Sequence, residues 1–365
     1  MFRWHQICFG MDYGNLLTVV KFKRKRGIKR MRTNLKMSVV AALLGSGLGL
    51  AGGAQAGAVI SLASGVSMGV FDQGHIGSGG VGIALSGVGD AIIPGCLCEG
   101  WGVSASGVVG WASVDNGGIN NISLDSFSST ASSATSVVHL TSASQISITQ
   151  AYAPSASPDL FRDHVTITNS GATTATDIRY SRSMDWDVPP TIFNELVTIQ
   201  RAASTALLYS SDNGFATPNP LVNPGATCNN ATINADVTDN GPCDHGAFFT
   251  FGFGSLAAGT SKTFDIYYGA SRSESAALAA LAAVGAETYS FGQSAGNGAT
   301  GTPGTFVFAF AGVGGVAAGP GPGPGPGPGP GPTPIPGTIP EPGSIALLGL
   351  ALAGLVARRR KSAAQ

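Results

Sequence analysis

Residues 247–271, AFFTFGFGSLAAGTSKTFDIYYGAS, decide the fold class. Two aromatic-rich runs, 247–256 and 261–271, flank AAGT at 257–260. Aromatic and β-branched side chains suit a pleated surface, and a Gly-centred turn joins neighbouring strands. The stretch predicts two antiparallel strands. The same pattern recurs upstream. ATSVVHLTSASQISITQ at 134–150 alternates strongly, and VTIT at 165–168 runs through NSGATTATD into IRYSRSMDWDV, a hairpin-like arrangement. LVTIQRA at 196–202, TALLYS at 205–210 and TFVFAFAGV at 305–313 add further strands. The Gly-rich stretch 58–118 holds short alternating pieces such as VGIAL and VVGWASV, read as short strands with tight turns. One helix is predicted over 273–290, SESAALAALAAVGAETYS. Ser271 or Ser273 would cap it, and Leu278 and Leu281 share a face.

Strands divided by a Gly turn at this spacing resemble the closing strands of an immunoglobulin-like or related β-sandwich. The expected fold is mainly β: a β-sandwich-like body with one short helix near its C-terminal end.

Charge is distributed unevenly. The formal net charge is zero over 365 residues, with twenty basic and twenty acidic side chains. Residues 1–36 carry ten Lys/Arg against one Asp, and 358–361 read RRRK. The stretch 57–318 keeps six basic residues against eighteen acidic ones, a net of about −12. Nucleic-acid binding needs a basic face, so no nucleic-acid partner is expected. Both basic blocks flank hydrophobic runs, as topology signals do.

KFKRKRGIKRMRTNLK at 21–36 leads into an apolar run over 37–53 and then AQA at 54–56. A basic region, an apolar region and small residues at Ala54 and Ala56 make a secretory signal, cut to leave Gly57 first. Met31 is a better start than Met1, because MRTNLK alone supplies an ordinary basic region. A first transmembrane helix is the plainer alternative, but the run is short and Gly-rich.

SIALLGLALAGLVA at 344–357 is uncharged and shorter than the roughly 20 residues of a full span. Arg358, Arg359 and Arg360 follow at once and would stop transfer. Pro340-Glu341-Pro342, the short apolar helix and the Arg cluster together resemble the PEP-CTERM sorting signal of Gram-negative bacteria. The resemblance covers 339–361. It implies Sec-dependent export, a stage in the inner membrane, cutting near the Pro-Glu-Pro by an exosortase, and release or surface attachment, often beside exopolysaccharide. The middle segments of the body also resemble surface proteins of that group, which carry no assigned activity. Between body and tail, 319–332 are seven Gly-Pro pairs. Alternating Pro prevents a helix and gives an extended spacer. The expected organisation is a basic extension and signal over 1–56, a β body over 57–318, a linker over 319–339 and the sorting signal with its hydrophobic helix over 340–365.

Within the body, four cysteines remain after residue 56: Cys96, Cys98, Cys228 and Cys243. An even count in an exported chain suggests disulfides. Cys228 with Cys243 is the favoured pair, closing an irregular loop, whereas Cys96 and Cys98 could form only a tight bridge. Sulfur-based metal binding is disfavoured, since zinc wants C-x2–4-C spacing or well-placed His. In MDWDVPPTIFNE, 184–195, Asp185 and Asp187 share one side of a strand and Trp186 the other. With Glu195 nearby, these acids could bind calcium or act on a sugar; the plain alternative is a solvated strand end. Arg179 and Arg182 are expected to pair with them. Asp236, Thr238, Asn240 and Gly241 match the first half of an EF-hand loop, but Ala247 stands where its Glu belongs. No G-x-S-x-G, H-E-x-x-H or Walker A motif occurs. Of the histidines His75, His139, His164 and His245, none forms a triad by spacing, and GHIGSGG at 74–80 lacks the context of a phosphate loop. Trp101 and Trp111, if exposed, could stack on sugars. No catalytic residue is named and no cofactor is expected apart from calcium. The expected function is an exported surface or matrix protein with a non-enzymatic structural or adhesive role. The alternative is a carbohydrate-binding or carbohydrate-hydrolysing β domain.

Overall fold

A computed structural model describes residues 57–201, 204–296 and 301–317. The signal residues Ala54 and Ala56, the whole linker over 319–339, Pro340-Glu341-Pro342 and Arg358–Arg360 lie outside them. Gly57, the expected first residue after cleavage, opens the first strand.

In chain order the strands are β1 (Gly57–Ser61), β2 (Val66–Phe71), β3 (Ile83–Leu85), β4 (Gly89–Asp90), β5 (Glu99–Ala105) and β6 (Val108–Ser113). Then come β7 (Ile122–Ser129), β8 (Ala134–Leu140), β9 (Ala143–Pro154), β10 (Leu160–Asn169), β11 (Ala175–Trp186) and β12 (Glu195–Gln200). The last six are β13 (Leu207–Ser211), β14 (Val237–Cys243), β15 (His245–Leu256), β16 (Thr260–Ser271), β17 (Thr288–Ala295) and β18 (Gly301–Ala311). They form a nine-stranded sheet in the order β14-β12-β17-β18-β16-β10-β9-β8-β7 and a five-stranded sheet, β13-β15-β11-β5-β6. A small sheet, β1-β2-β3-β4, packs against β16.

The stretch 247–271 does form two long strands, but they do not pair with each other. β15 lies in the five-stranded sheet and β16 in the nine-stranded one, so the AAGT turn crosses between layers. Alternation then directs Phe249, Phe251 and Phe253 of β15 onto the other sheet. Phe249 meets Phe308 and Phe310 at 5.6 and 5.4 Å between ring centroids, Phe251 meets Phe310 at 4.7 Å, and Phe253 stacks on Phe264 at 5.1 Å. Each fully buried Phe contributes about 1.5–3 kcal/mol of transfer free energy. These contacts make the body sandwich-like. Trp186 fastens the layers at another point: its Nε1–H donates to Ser290 Oγ at 3.1 Å. Gly292 lies under the indole, where an added Cβ would come within 2.4 Å of Trp186 Cδ2.

The helix is α1, Glu274–Val284, six residues shorter at its C-terminal end than the sequence predicts. Ser273 is the cap, accepting the Ala276 N–H, and Gly285 at φ 64° ends the helix in the left-handed region. The residues after it, TYSFGQSA, alternate and form β17. Ala277, Ala280 and Leu281 bury against Leu160, Tyr267, Val307 and Ala309 on the outer face of the large sheet. Among the described residues no helix is long and apolar enough to cross a membrane.

Candidate functional site

Two buried polar centres in the body differ in charge: the first is gathered around a cation, and the second is made of carboxylates alone. The first surrounds Arg182 on β11, which has no exposure. Its Nε–H donates to Glu99 Oε1 at 2.5 Å. Nη1 donates to Gln150 Oε1 at 2.7 Å and to the Tyr180 hydroxyl at 3.1 Å, with Asp163 Oδ2 at 3.4 Å. Nη2 donates to the Gly74 carbonyl at 3.1 Å and the Tyr152 hydroxyl at 3.2 Å. The Tyr268 ring lies 5.1 Å from the guanidinium carbon. Burial pushes the Glu99 carboxyl up, against the pull of Arg182 and of the Ile76 N–H. Five strands (β5, β9, β10, β11 and β16) and the loop at Gly74 converge on this cation, which has no exposure. It joins the layers and has no room for a substrate.

The expected pairing of Arg179 and Arg182 with the acids of 185–195 is therefore corrected. Arg182 turns inward to Glu99, and Arg179 pairs with Asp177 at 2.8 Å. Side-chain alternation along β11 explains Arg182, because residues 182 and 185 point to opposite faces of the sheet, whereas Arg179 lies roughly 20 Å along the strand from Asp185.

The second centre is the acid cluster that the sequence singled out. Asp185 is 1% exposed, and Asp187 and Glu195 are 0% exposed. They are not a solvated strand end. One carboxylate oxygen from each of Asp185, Asp187 and Asp244 lies within 4.8 Å of the other two. β11 supplies Asp185; Asp187 follows it, held by its N–H to the Ala91 carbonyl at 2.7 Å. Antiparallel pairing of β11 with β15 places Trp186 opposite His245, which brings Asp244 alongside. Glu195 opens β12, across from Cys243. Asp185 Oδ1, both oxygens of Asp187, both of Glu195 and Asp244 Oδ1 meet no donor in hydrogen-bonding geometry. Asp185 Oδ2 lies 3.6 Å from Cys96 Sγ, but that sulfur is disulfide-bonded and has no proton to give.

The electrostatics follow. Burial, then the charges of Asp187, Asp244 and Glu195, push Asp185 up to about 9. Burial and Asp244 push Asp187 to about 7, although the nearby Gly95 N–H pulls the other way. Burial first, with Asp187 and Asp244 adding to it, raises Glu195 to about 8. Such a group is neutralised either by protons or by a hard cation. Calcium takes six to eight oxygens at about 2.3–2.6 Å, and aspartate oxygens with flexible spacing suit it. Gly95 leaves the necessary room, since an added Cβ there would sit 2.3 Å from Asp187 Oδ2. Asp244 is half-buried and gives the cluster its side toward solvent. Sequence reasoning missed Asp244 and Gly95 as members, because only the β11–β15 pairing and the loop before Cys96 bring them in.

Other expectations change. The structure bonds Cys96 to Cys98, with Cα atoms 5.0 Å apart, and leaves Cys228 and Cys243 as free thiols. The chain bends sharply at Leu97, whose N–H donates to Asp115 Oδ2 and whose carbonyl accepts the Asp115 N–H, and this turns the two sulfurs together. The loop between Cys228 and Cys243 is not wholly irregular. Asp236 precedes β14, and Thr238, Asn240 and Gly241 lie within it, so their oxygens spread along a strand instead of converging as in an EF-hand. Trp101 is fully buried, its Nε1–H on the Gln73 carbonyl at 2.9 Å, and cannot stack on a sugar. Trp111 does reach the surface. With Asn213, Phe215, Thr217, Asn219 and Pro224 it lines an open hollow of about 560 Å³. His164 lies mid-strand, bound to Asp265 at 2.6 Å; His139 binds Asp125 at 2.7 Å; His75 is buried and stacks on Phe71.

Residues 338–361 match the PEP-CTERM protein-sorting motif. That motif marks the chain as an exosortase substrate, exported and held at a membrane before display at the surface of a Gram-negative cell. No curated protein matches the chain. Among solved structures, an Escherichia coli K12 protein provisionally assigned as an aldose 1-epimerase is similar over 70% of this chain and 88% of its own, at 11% identity and a TM-score of 0.25. So loose a superposition says nothing about chemistry.

Proposed function

Starting from the sorting motif at 338–361, we propose that the mature body is a non-enzymatic structural or adhesive protein of the cell surface or extracellular matrix. It passes through the Sec machinery and the inner membrane, is cut by an exosortase and contacts exopolysaccharide. Calcium in the acid cluster stiffens it. One observation carries this reading. The carboxylates that could act on a sugar are closed off at 0–1% exposure, while the hollow with an aromatic face, Trp111 and Phe215, is open. A glycosidase needs two carboxyls facing one accessible cleft. A glycan contact needs only an aromatic platform with polar neighbours, which Asn213, Thr217 and Asn219 supply.

The test is expression of the full chain in hosts with and without an exosortase, followed by incubation of the mature protein with the producer's own exopolysaccharide. The expected result is loss of the tail and surface display only with the exosortase, retention on the polysaccharide, and no release of reducing ends. Release of reducing ends that disappears in Asp185→Asn would establish the hydrolase alternative instead.

A further inference from the structure

A separate group of side chains lies beside the acid cluster and shares no residue with it: Cys228, Cys243 and His245. One Sγ from each cysteine and one ring nitrogen of His245 all lie within 4.8 Å of one another. In a tetrahedral zinc site with metal–sulfur bonds of about 2.3 Å, the ligand atoms stand about 3.5–4 Å apart, so modest contraction closes the group.

The decisive feature is the imidazole. His245 has no exposure, and its Nδ1 lies 3.2 Å from Asp212 Oδ2. A carboxylate oxygen accepts, so in this contact the proton of the neutral ring sits on Nδ1, which leaves Nε2 as a bare lone pair. Nε2 is buried and has no partner. An orphaned buried acceptor is destabilising unless something binds it.

Asp212 also positions a sulfur. Its two oxygens accept the backbone N–H groups of Thr227 at 2.8 Å, Cys228 at 3.2 Å and Asn229 at 3.3 Å. One carboxylate thus fixes both the loop that carries Cys228 and the orientation of His245. A carboxylate holding the far nitrogen of a histidine is the usual outer support of a bound metal. Cys243, at the end of β14, and His245, at the start of β15, are separated by one residue at a strand junction, which sends both toward Cys228.

We propose that Cys228, Cys243 and His245 form a zinc site, with water as the fourth ligand and Asp212 as its positioning residue. Two thiolates and an imidazole prefer a borderline-soft ion, whereas the neighbouring carboxylates prefer a hard one. Loading is not a redox step: two S–H bonds break, two Zn–S bonds form, and two protons leave to solvent.

The full chain, purified after export, is titrated with Zn²⁺ alone and with Co²⁺ alone after mild reduction. The expected result is one zinc per chain after desalting, thiolate-to-cobalt charge-transfer absorption, and protection of Cys228 and Cys243 from alkylation when zinc is present. Cys228→Ser and His245→Ala should lose the ion, and Asp187→Asn, which alters the acid cluster, should keep it. Asp212→Asn should weaken affinity about 10- to 100-fold without changing stoichiometry. Peptide mapping that finds Cys228 bonded to Cys243 in the untreated protein, with no zinc taken up on reduction, overturns the proposal. So does cobalt binding without a thiolate band. The wild-type alkylation pattern decides even if a variant fails to fold.

Discussion

Arg182 Nε and Glu99 Oε1 meet at 2.5 Å across two adjacent strands, and neither side chain is exposed. The pair is expensive to bury and more expensive to break. Arg182→Ala should destabilise the protein by about 3–5 kcal/mol, since it leaves Glu99 and Asp163 buried without their cation. Arg182→Lys should recover little, because an ammonium cannot reach the fork of partners that the guanidinium meets. Urea unfolding of the exported protein measures both; a loss under about 1 kcal/mol for Arg182→Ala would refute the account.

The acid cluster predicts an unusual pH profile. Unfolded carboxylates titrate near 4, whereas Asp187, Glu195 and Asp185 titrate at about 7, 8 and 9 when folded. The folded state holds protons that the unfolded state has released. This contribution is complete below about pH 4 and is lost as pH rises through 7 to 9. In a chelator, the urea midpoint should fall across that range. Calcium, which replaces the protons, should restore it most at the alkaline end. A midpoint indifferent to calcium at every pH would remove the cation from the picture.

Gly95 gives a sharper test of the same site. Its replacement by Ala puts a methyl group 2.3 Å from Asp187 Oδ2. Overpacking should cost about 1–3 kcal/mol in a chelator. The calcium-dependent part of the stability should vanish altogether, as it should in Asp187→Asn. If Gly95→Ala responds to calcium as the parent does, the ion does not bind there.

The two tryptophans should separate stability from contact. Trp101→Ala empties a fully buried site and should cost about 3–5 kcal/mol. Trp111→Ala should leave the unfolding midpoint nearly unchanged and abolish retention on exopolysaccharide. Equal retention by Trp111→Ala and its parent would move the glycan contact elsewhere.

Much of this was legible from period-two patterning. The alternation of Met184-Asp185-Trp186-Asp187 already put both acids on one face and the indole on the other, and the layers obey it. Aromatic alternation in 247–271 fixed the strands, but not that they belong to different sheets, since a turn's sequence does not say which neighbour its strands will meet. Asp239-Asn240-Gly241 read as loop because these residues favour turns; bulged pairing with β12 overrides that preference. The predicted helix runs past Gly285 because Ala286 and Glu287 are good helix formers, although a left-handed cap ends it at Gly285. The surroundings of Arg182 left no local trace, for its partners come from distant strands, each polar residue unremarkable in its own segment.

The last strand of the body has a mechanical consequence. β18 is not at an edge: β16 pairs with one side of it and β17 with the other, both antiparallel. Just beyond it, Glu287 accepts the N–H groups of Gly312, Val313 and Gly315. A pull transmitted through the residues after 317 first loads this clasp and then draws β18 along its own axis. Two ladders must shear together, instead of one peeling open bond by bond. A molecule held by that end in a moving fluid resists tension where its sheet is strongest.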